Sequence, residues 1–128
     1  MAVNYVIKAD VIDIRQDTPK PNDIFLVDTN VWYWLTYTRA SLGDQPPKSY
    51  KTNDYTSYIG KTLSAKSQLH RCGLSLAELA HLIERTELEI FSKASGFDKN
   101  KKKEFRHNHP TERTHVVAEI QAAWGLVE

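Results

Sequence analysis

Two acidic residues, Asp28 and Glu78, occupy positions in the sequence at which carboxylates are often catalytic or metal-binding. Asp28 directly follows the apolar run at residues 24–27, a pattern typical of a parallel strand that is buried on both faces. Ligands of open α/β sheets bind beyond the carboxyl ends of such strands. Glu78 comes fifty residues later, near the start of the most strongly periodic helix in the sequence. Carboxylates from two separate elements can begin a site for Mg²⁺ or Mn²⁺, and such a cation activates water and neutralises charge in phosphodiester hydrolysis.

The elements that must position these acids follow from the hydrophobic pattern and from breaker residues. Residues 3–14 alternate loosely, like an edge strand or a hairpin arm, and two prolines mark a connector at 17–23. A helix is predicted after the apolar strand, with Asp28 or Asn30 as its N-cap. Beyond it the patterns predict an exposed loop at 43–53, a helix at 54–66, a short strand at 69–74, a long helix from 75, a charged link at 99–106, and a last helix at 111–124 that ends at Gly125.

Length, composition and charge set ordinary bounds. The chain has 128 residues, of which 41% are hydrophobic and 26% are charged, as expected for one globular domain. Its net charge of +1 gives no global attraction to nucleic acid or to an anionic membrane, so any polyanion site must be local. The single cysteine, Cys72, excludes an internal disulfide framework. No apolar run approaches the roughly 20 residues of a membrane span. We therefore predict a cytoplasmic protein without membrane contact.

The residues around the two acids resemble a known family. Asp28, Thr29 and Asn30 after an apolar strand, and residues 75–80 at the start of a long helix, are similar to the first two motifs of the PIN domain family. The resemblance implies a three-layer α/β/α, Rossmann-like fold with a parallel central strand. It also implies a metal-dependent ribonuclease, a hydrolase in which Asp28 and Glu78 are catalytic residues that bind Mg²⁺ or Mn²⁺. Many such proteins are toxins of toxin–antitoxin pairs, so RNA and an antitoxin protein are the implied partners.

The later part of the sequence departs from that family. PIN domains normally add a third acid that opens an alanine-rich helix and a fourth acid after it, and neither is found here. We therefore expect residues 23–128 to be a PIN-like domain that lacks its C-terminal part. Residues 1–22 would supply an extra N-terminal strand and a connector. That strand, or a homodimer, would cover the open edge of the sheet. The alternative to a ribonuclease is a truncated or degenerate PIN module that binds RNA or protein without catalysis.

Both acids also have ordinary structural interpretations, which the sequence leaves open. Aspartate is a common N-cap, so Asp28 also fits the start of a helix. Ser75 and Glu78 match the S-x-x-E capping box, in which the serine binds the backbone amide three residues on and the glutamate reaches back. If both acids only cap helices, the chain is an unrelated α/β domain that does not respond to divalent metals.

Basic, histidine and aromatic residues complete the set of candidates. Five cations within eight residues form either a patch for RNA phosphates or a solvated linker. They are Lys99, Lys101, Lys102, Lys103 and Arg106. His107, His109 and His115 match no zinc-binding spacing. The aromatic residues at 32–37 fall among apolar residues at helical intervals, which favours packing in the core over stacking on bases.

Overall fold

The described part of the chain is mostly helical and contains one small sheet. A computed structural model describes residues 6, 9–44 and 47–127. In these residues, no helix is both long enough and apolar enough to cross a membrane. The elements in chain order are β1 (Ile24–Leu26), α1 (Thr29–Thr36), a 3-10 turn (Ala40–Leu42), a π-helical turn (Tyr50–Asp54), α2 (Tyr55–Ser64), β2 (Gln68–His70), α3 (Ser75–Ser95), α4 (Lys102–Asn108) and α5 (Pro110–Val127).

The sheet consists of two parallel strands of three residues each. Phe25 of β1 lies opposite Leu69 of β2, and both side chains pack against the core. The neighbouring side chains Ile24 and Leu26 point the other way, and these residues are 68% and 71% exposed. Helices thus cover only one face of a two-stranded sheet. The predicted three-layer α/β/α PIN-like fold is therefore wrong for the described residues, and so is the prediction that the strand at 24–27 is buried on both faces.

The predicted N-terminal strand lies only partly within the described residues. Residues 1–5, 7 and 8 fall outside them, and residues 9–14 form no strand. Val11 and Ile12 are exposed. The first side-chain hydrogen bond from the described N-terminal residues to a helix is at Asp17, whose carboxylate accepts it from the hydroxyl of Tyr58 in α2. Residues 9–14 therefore add no strand to the sheet.

The main helices lie where the hydrophobic pattern predicts them, whereas two predicted loops and one predicted helix end are wrong. α1, α2, α3 and α5 are confirmed, and so is a short strand near residue 69. Part of the predicted loop at 43–53 is a π-helical turn, and part of the predicted link at 99–106 is α4. Gly125 lies inside α5 rather than at its end. A glycine costs only about 1 kcal/mol inside a helix, and Val127, two residues later, is buried in the core.

Two apolar clusters join the helices, and α3 contributes to both. The larger cluster includes Trp32 and Tyr33 of α1 together with Leu79 and Ile83 of α3. The smaller one joins α3, α4 and α5 around Leu88, Phe105 and Val116. Since α3 packs directly on α1, the N-terminal ends of these two helices are held in fixed relation. This packing positions the two acids.

Candidate functional site

The two predicted site acids line one open cleft between α1 and α3. The cleft has a volume of about 450 Å³. The start of α1 contributes Asp28, Thr29 and Asn30, and the start of α3 with the residue before it contributes Leu74, Ala77, Glu78, His81 and Leu82. The fold thus brings together two carboxylates that are fifty residues apart in the sequence.

Asp28 caps α1 and keeps one carboxylate oxygen free. Its Oδ2 accepts a hydrogen bond from the backbone amide of Asn30 at 3.2 Å, which confirms the N-cap prediction. No described residue donates a hydrogen bond to Oδ1, and Asp28 is exposed. The cap therefore fixes the position of the carboxylate without occupying it fully.

Glu78 is not part of a capping box, so that interpretation is wrong. The N-cap position of α3 belongs to Leu74, and the Oγ of Ser75 accepts a hydrogen bond from the amide of Cys72 at 3.1 Å. The amide of Glu78 donates to the carbonyl of Leu74 at 3.0 Å. Within the described residues, the carboxylate of Glu78 accepts no hydrogen bond and forms no ion pair. Glu78 is exposed and both of its oxygens face solvent or the cleft.

His81 also lines this cleft, although it was not among the residues predicted from the sequence. It follows Glu78 by three residues, and this spacing puts both side chains on the same face of α3. The i, i+3 spacing from a suspected acid was the available signal. Imidazole is the side chain that most often moves protons in catalysis.

The donor set of the cleft fits Mg²⁺ or Mn²⁺. Asp28 and Glu78 offer anionic oxygens, the ligands that these hard cations prefer. Mg²⁺ is commonly held by one or two carboxylates while water and substrate phosphate complete its shell. Two partly free carboxylates in an open cleft match that pattern.

A second cleft, of about 430 Å³, adjoins the first and carries positive charge. Asn30 and Leu82 line both clefts, so the two surfaces are continuous. Trp34 lies in the second cleft, and the Nζ of Lys51 is 5.4 Å from the centroid of its ring. The cations that line this cleft are Lys48, Lys51, Arg85 and Lys99.

Two of these cations are paired with carboxylates of the described residues, and the other two are not. Lys99 binds Asp44 at 2.8 Å, and this hydrogen bond lowers the pKa of the Asp44 carboxyl. Arg85 is 4.0 Å from Glu89. Lys48 and Lys51 form no ion pair with any carboxylate of the described residues. The signal for these two lysines in the sequence was weak because they lie in a segment that reads as an exposed loop.

The five cations predicted to bind RNA differ in their surroundings, and their binding of RNA stays a prediction. Lys99 lines the second cleft, whereas Arg106 is held by the buried Glu84 of α3. The other three surround the start of α4, outside the two clefts. They are Lys101, which is 3.9 Å from Glu104, together with Lys102 and Lys103.

Two buried acids of α3, Glu84 and Glu87, anchor the surrounding elements, although no sequence motif assigned them a role. Glu84 accepts hydrogen bonds from Arg106 at 2.5 and 2.9 Å and from Arg113 at 3.1 Å. Burial alone would raise the pKa of Glu84, but the hydrogen bonds and charges of the two arginines outweigh it and lower that pKa.

Glu87, the other buried acid, binds Arg39 and Tyr37. The Nε of Arg39 donates to Oε1 at 2.9 Å, and the Tyr37 hydroxyl donates to the same oxygen. Burial, and then the hydrogen bond to Glu87, raise the pKa of Tyr37. Glu87 continues the i, i+4 series of Leu79 and Ile83, and an acid on such an apolar face was a signal for a buried ion pair.

Comparison of the chain with protein-family models, with curated proteins and with solved structures finds no match. The similarity of the Asp28 and Glu78 motifs to PIN domains therefore stays a prediction.

Proposed function

We propose that this protein binds single-stranded RNA across the two adjoining clefts and hydrolyses it at a divalent cation held by Asp28 and Glu78. One observation carries the proposal: the acidic cleft and the basic cleft meet at Asn30 and Leu82. A cation site beside a phosphate-binding surface is the arrangement that phosphodiester hydrolysis requires, because the charge of the transferring phosphoryl group must be neutralised where it develops.

Each residue then has a defined role. Asp28 and Glu78 hold Mg²⁺ or Mn²⁺, which supplies Lewis-acid activation of water. Lys48 and Lys51 attract the phosphates on the adjoining surface. His81 lines the acidic cleft and is available to move a proton. The antitoxin and homodimer partners predicted from the family resemblance stay predictions.

A second candidate function is RNA binding without hydrolysis. It is favoured by the small number of acids, since Asp28 and Glu78 are the carboxylates among the described residues that line the first cleft. In this case the basic cleft binds the RNA backbone, and a cation at the acids only strengthens that binding.

A cleavage assay with matched variants tests the proposal. Purified protein is incubated with end-labelled single-stranded RNA and Mn²⁺, and the products are separated on a gel. We expect Asp28→Asn and Glu78→Gln each to reduce cleavage by at least about 100-fold, in the range of lost electrostatic stabilisation. Asn also serves as an N-cap, so Asp28→Asn preserves α1. Asp10→Asn, at an exposed acid outside the clefts, is the control and should cleave like the wild type.

RNA binding is measured in the same samples by fluorescence anisotropy at several salt concentrations. Each phosphate contact to single-stranded nucleic acid adds about 0.7 to the slope of log affinity against log salt. The double variant Lys48→Ala, Lys51→Ala should therefore lower the slope by about 1.4. Binding without cleavage in the wild type would support the second candidate. An unchanged salt slope, together with cleavage that is equal in wild type and Asp28→Asn, would refute the proposal.

A further inference from the structure

A third group of ligand atoms lies where a later part of α3 meets α5. Glu87, His115 and Glu119 each offer one donor atom, and these atoms lie within 4.8 Å of one another. We propose that they bind a first-row transition-metal ion, Zn²⁺ being the probe of choice, separately from the cation at Asp28 and Glu78. One imidazole nitrogen and two carboxylate oxygens are donors that Zn²⁺ accepts, and three protein ligands leave a fourth position open.

The separations of the donor atoms match two ligands of one ion. His115 Nε2 is 3.5 Å from Glu87 Oε2 and 3.7 Å from Glu119 Oε1. Both distances exceed the usual 2.7–3.2 Å of an N–H···O hydrogen bond. Two ligands that each lie about 2.0–2.1 Å from a tetrahedral zinc ion are about 3.4 Å apart. His115 and Glu119 are four residues apart on α5, so they share one face of that helix.

The carboxylate of Glu87 is already oriented by outer partners. Arg39 donates from Nε to Oε1 at 2.9 Å and from Nη2 to Oε2 at 3.3 Å. The Tyr37 hydroxyl also donates to Oε1, so Oε2 is the oxygen turned to His115. Partners of this kind orient ligands and tune metal affinity. Arg39 pairs with Glu87, whereas Glu119 lies beside His115 only among the described residues, so a divalent cation would balance the negative charge that the guanidinium leaves on this group.

This site is distinct from the proposed nuclease site. Glu87 follows Glu78 by nine residues in α3, which is about 13 Å along the helix axis. Two-metal centres hold their ions only about 3.5–4 Å apart. The His115 side chain is 42% exposed, so an ion bound there is reachable from solvent. The two sites therefore bind their ions independently.

Equilibrium dialysis of the metal-free protein against Zn²⁺ tests the inference. We expect one zinc ion per chain in the wild type, and the same affinity in the double variant Asp28→Asn, Glu78→Gln. His115→Gln and Glu119→Gln should each weaken binding at least about 10-fold. His107→Gln replaces an exposed histidine of α4 and is the matched control, with unchanged affinity expected. With Co²⁺ in place of Zn²⁺, we expect the strong visible absorption of a low-coordinate site in the wild type. We expect this absorption to be lost in His115→Gln and in Glu119→Gln.

Three results would overturn the inference. They are a wild-type chain that retains no zinc, affinities unchanged by both site variants, and a loss in His107→Gln as large as in His115→Gln. Circular dichroism of the metal-free proteins checks that each variant is folded. Neither His115 nor Glu119 is buried, and testing them in separate variants keeps the result decisive if one variant misfolds.

Discussion

Replacing Glu84 by glutamine tests the buried ion pairs of α3 most directly. Glu84 is buried and receives Arg106 from α4 and Arg113 from α5. Glutamine has nearly the same shape but removes the negative charge that both arginines bind. We expect Glu84→Gln to have a lower free energy of unfolding, because the two arginines that join α4 and α5 to α3 would then face a neutral side chain.

The structure sets the size of this effect. Breaking a fully buried ion pair costs about 3–5 kcal/mol. The side chains of Arg106 and Arg113 are 43% and 46% exposed, so water recovers part of their charge. Glutamine also keeps one acceptor oxygen, and we therefore expect a loss of about 2 kcal/mol. With about 2.1 cal/mol/K of unfolding entropy per residue, this loss lowers the melting temperature of a chain of this length by about 7 °C.

The effect should also depend on pH in a defined direction. The pKa of Glu84 is lower in the folded chain than its ordinary value of 4.5, because the arginines favour the ionised form. The stability that this ionisation provides is complete above about pH 4.5 and is lost as pH falls through the lower pKa of the folded state. The difference between wild type and Glu84→Gln should therefore shrink on acidification.

Urea unfolding at several pH values measures both quantities. Glu104→Gln is the control, since this exposed acid is 3.9 Å from Lys101 and should change stability by less than about 0.5 kcal/mol. If Glu84→Gln costs no more than Glu104→Gln, the arginine pairs of Glu84 do not stabilise the fold. If the cost is the same at about pH 7 and about pH 3, the charge of Glu84 is not the cause of the loss.

Three further predictions concern local backbone and packing, and thermal melts check them all. Gly43→Ala should cost about 1 kcal/mol because the added Cβ would lie 2.9 Å from Glu89 Oε2, and moving this oxygen would break its hydrogen bond from the Asp44 amide. Gly60→Ala, with open space in α2, should instead stabilise by about 0.5–1 kcal/mol, and equal effects would contradict this. Gly96→Ala should cost about 1 kcal/mol because φ is +75° at the end of α3, and a neutral result would place the helix end elsewhere. The free energy of unfolding of Asp28→Ala should be lower than that of Asp28→Asn by about 1 kcal/mol, since only asparagine keeps the cap. Equal melting temperatures of the two variants would argue against that role.

Local chemistry was readable from the sequence where the partners are close in the chain. Asp28 precedes an amphipathic helix and caps it two residues on, as predicted. The Ser75 and Glu78 pattern failed because a capping box needs the serine at the N-cap, and that position is taken by Leu74. A one-residue difference in the helix start thus changed the role of Glu78, and helix ends are the least certain part of any sequence pattern.

Features that depend on distant residues were not readable. The apolar run at 24–27 indicates a strand, but whether its second face is covered depends on where the helices pack, and Ile24 and Leu26 are exposed. The buried role of Glu84 depends on arginines 22 and 29 residues later. In the same way, the basic cleft gathers lysines from segments that the sequence separates by about fifty residues.

The two buried acids of α3 also bear on the order in which the chain folds. Glu87 pairs with Arg39, which lies 48 residues earlier in the sequence, and Glu84 pairs with Arg106, which lies 22 residues later. If either carboxylate were buried before its arginine packed against it, the unpaired charge would cost several kcal/mol in desolvation. α3 is therefore a poor early nucleus on its own, and its burial must coincide with the closing of both loops. Segments on either side of α3 thus become native in one concerted step, so the chain should fold and unfold without stable half-formed states.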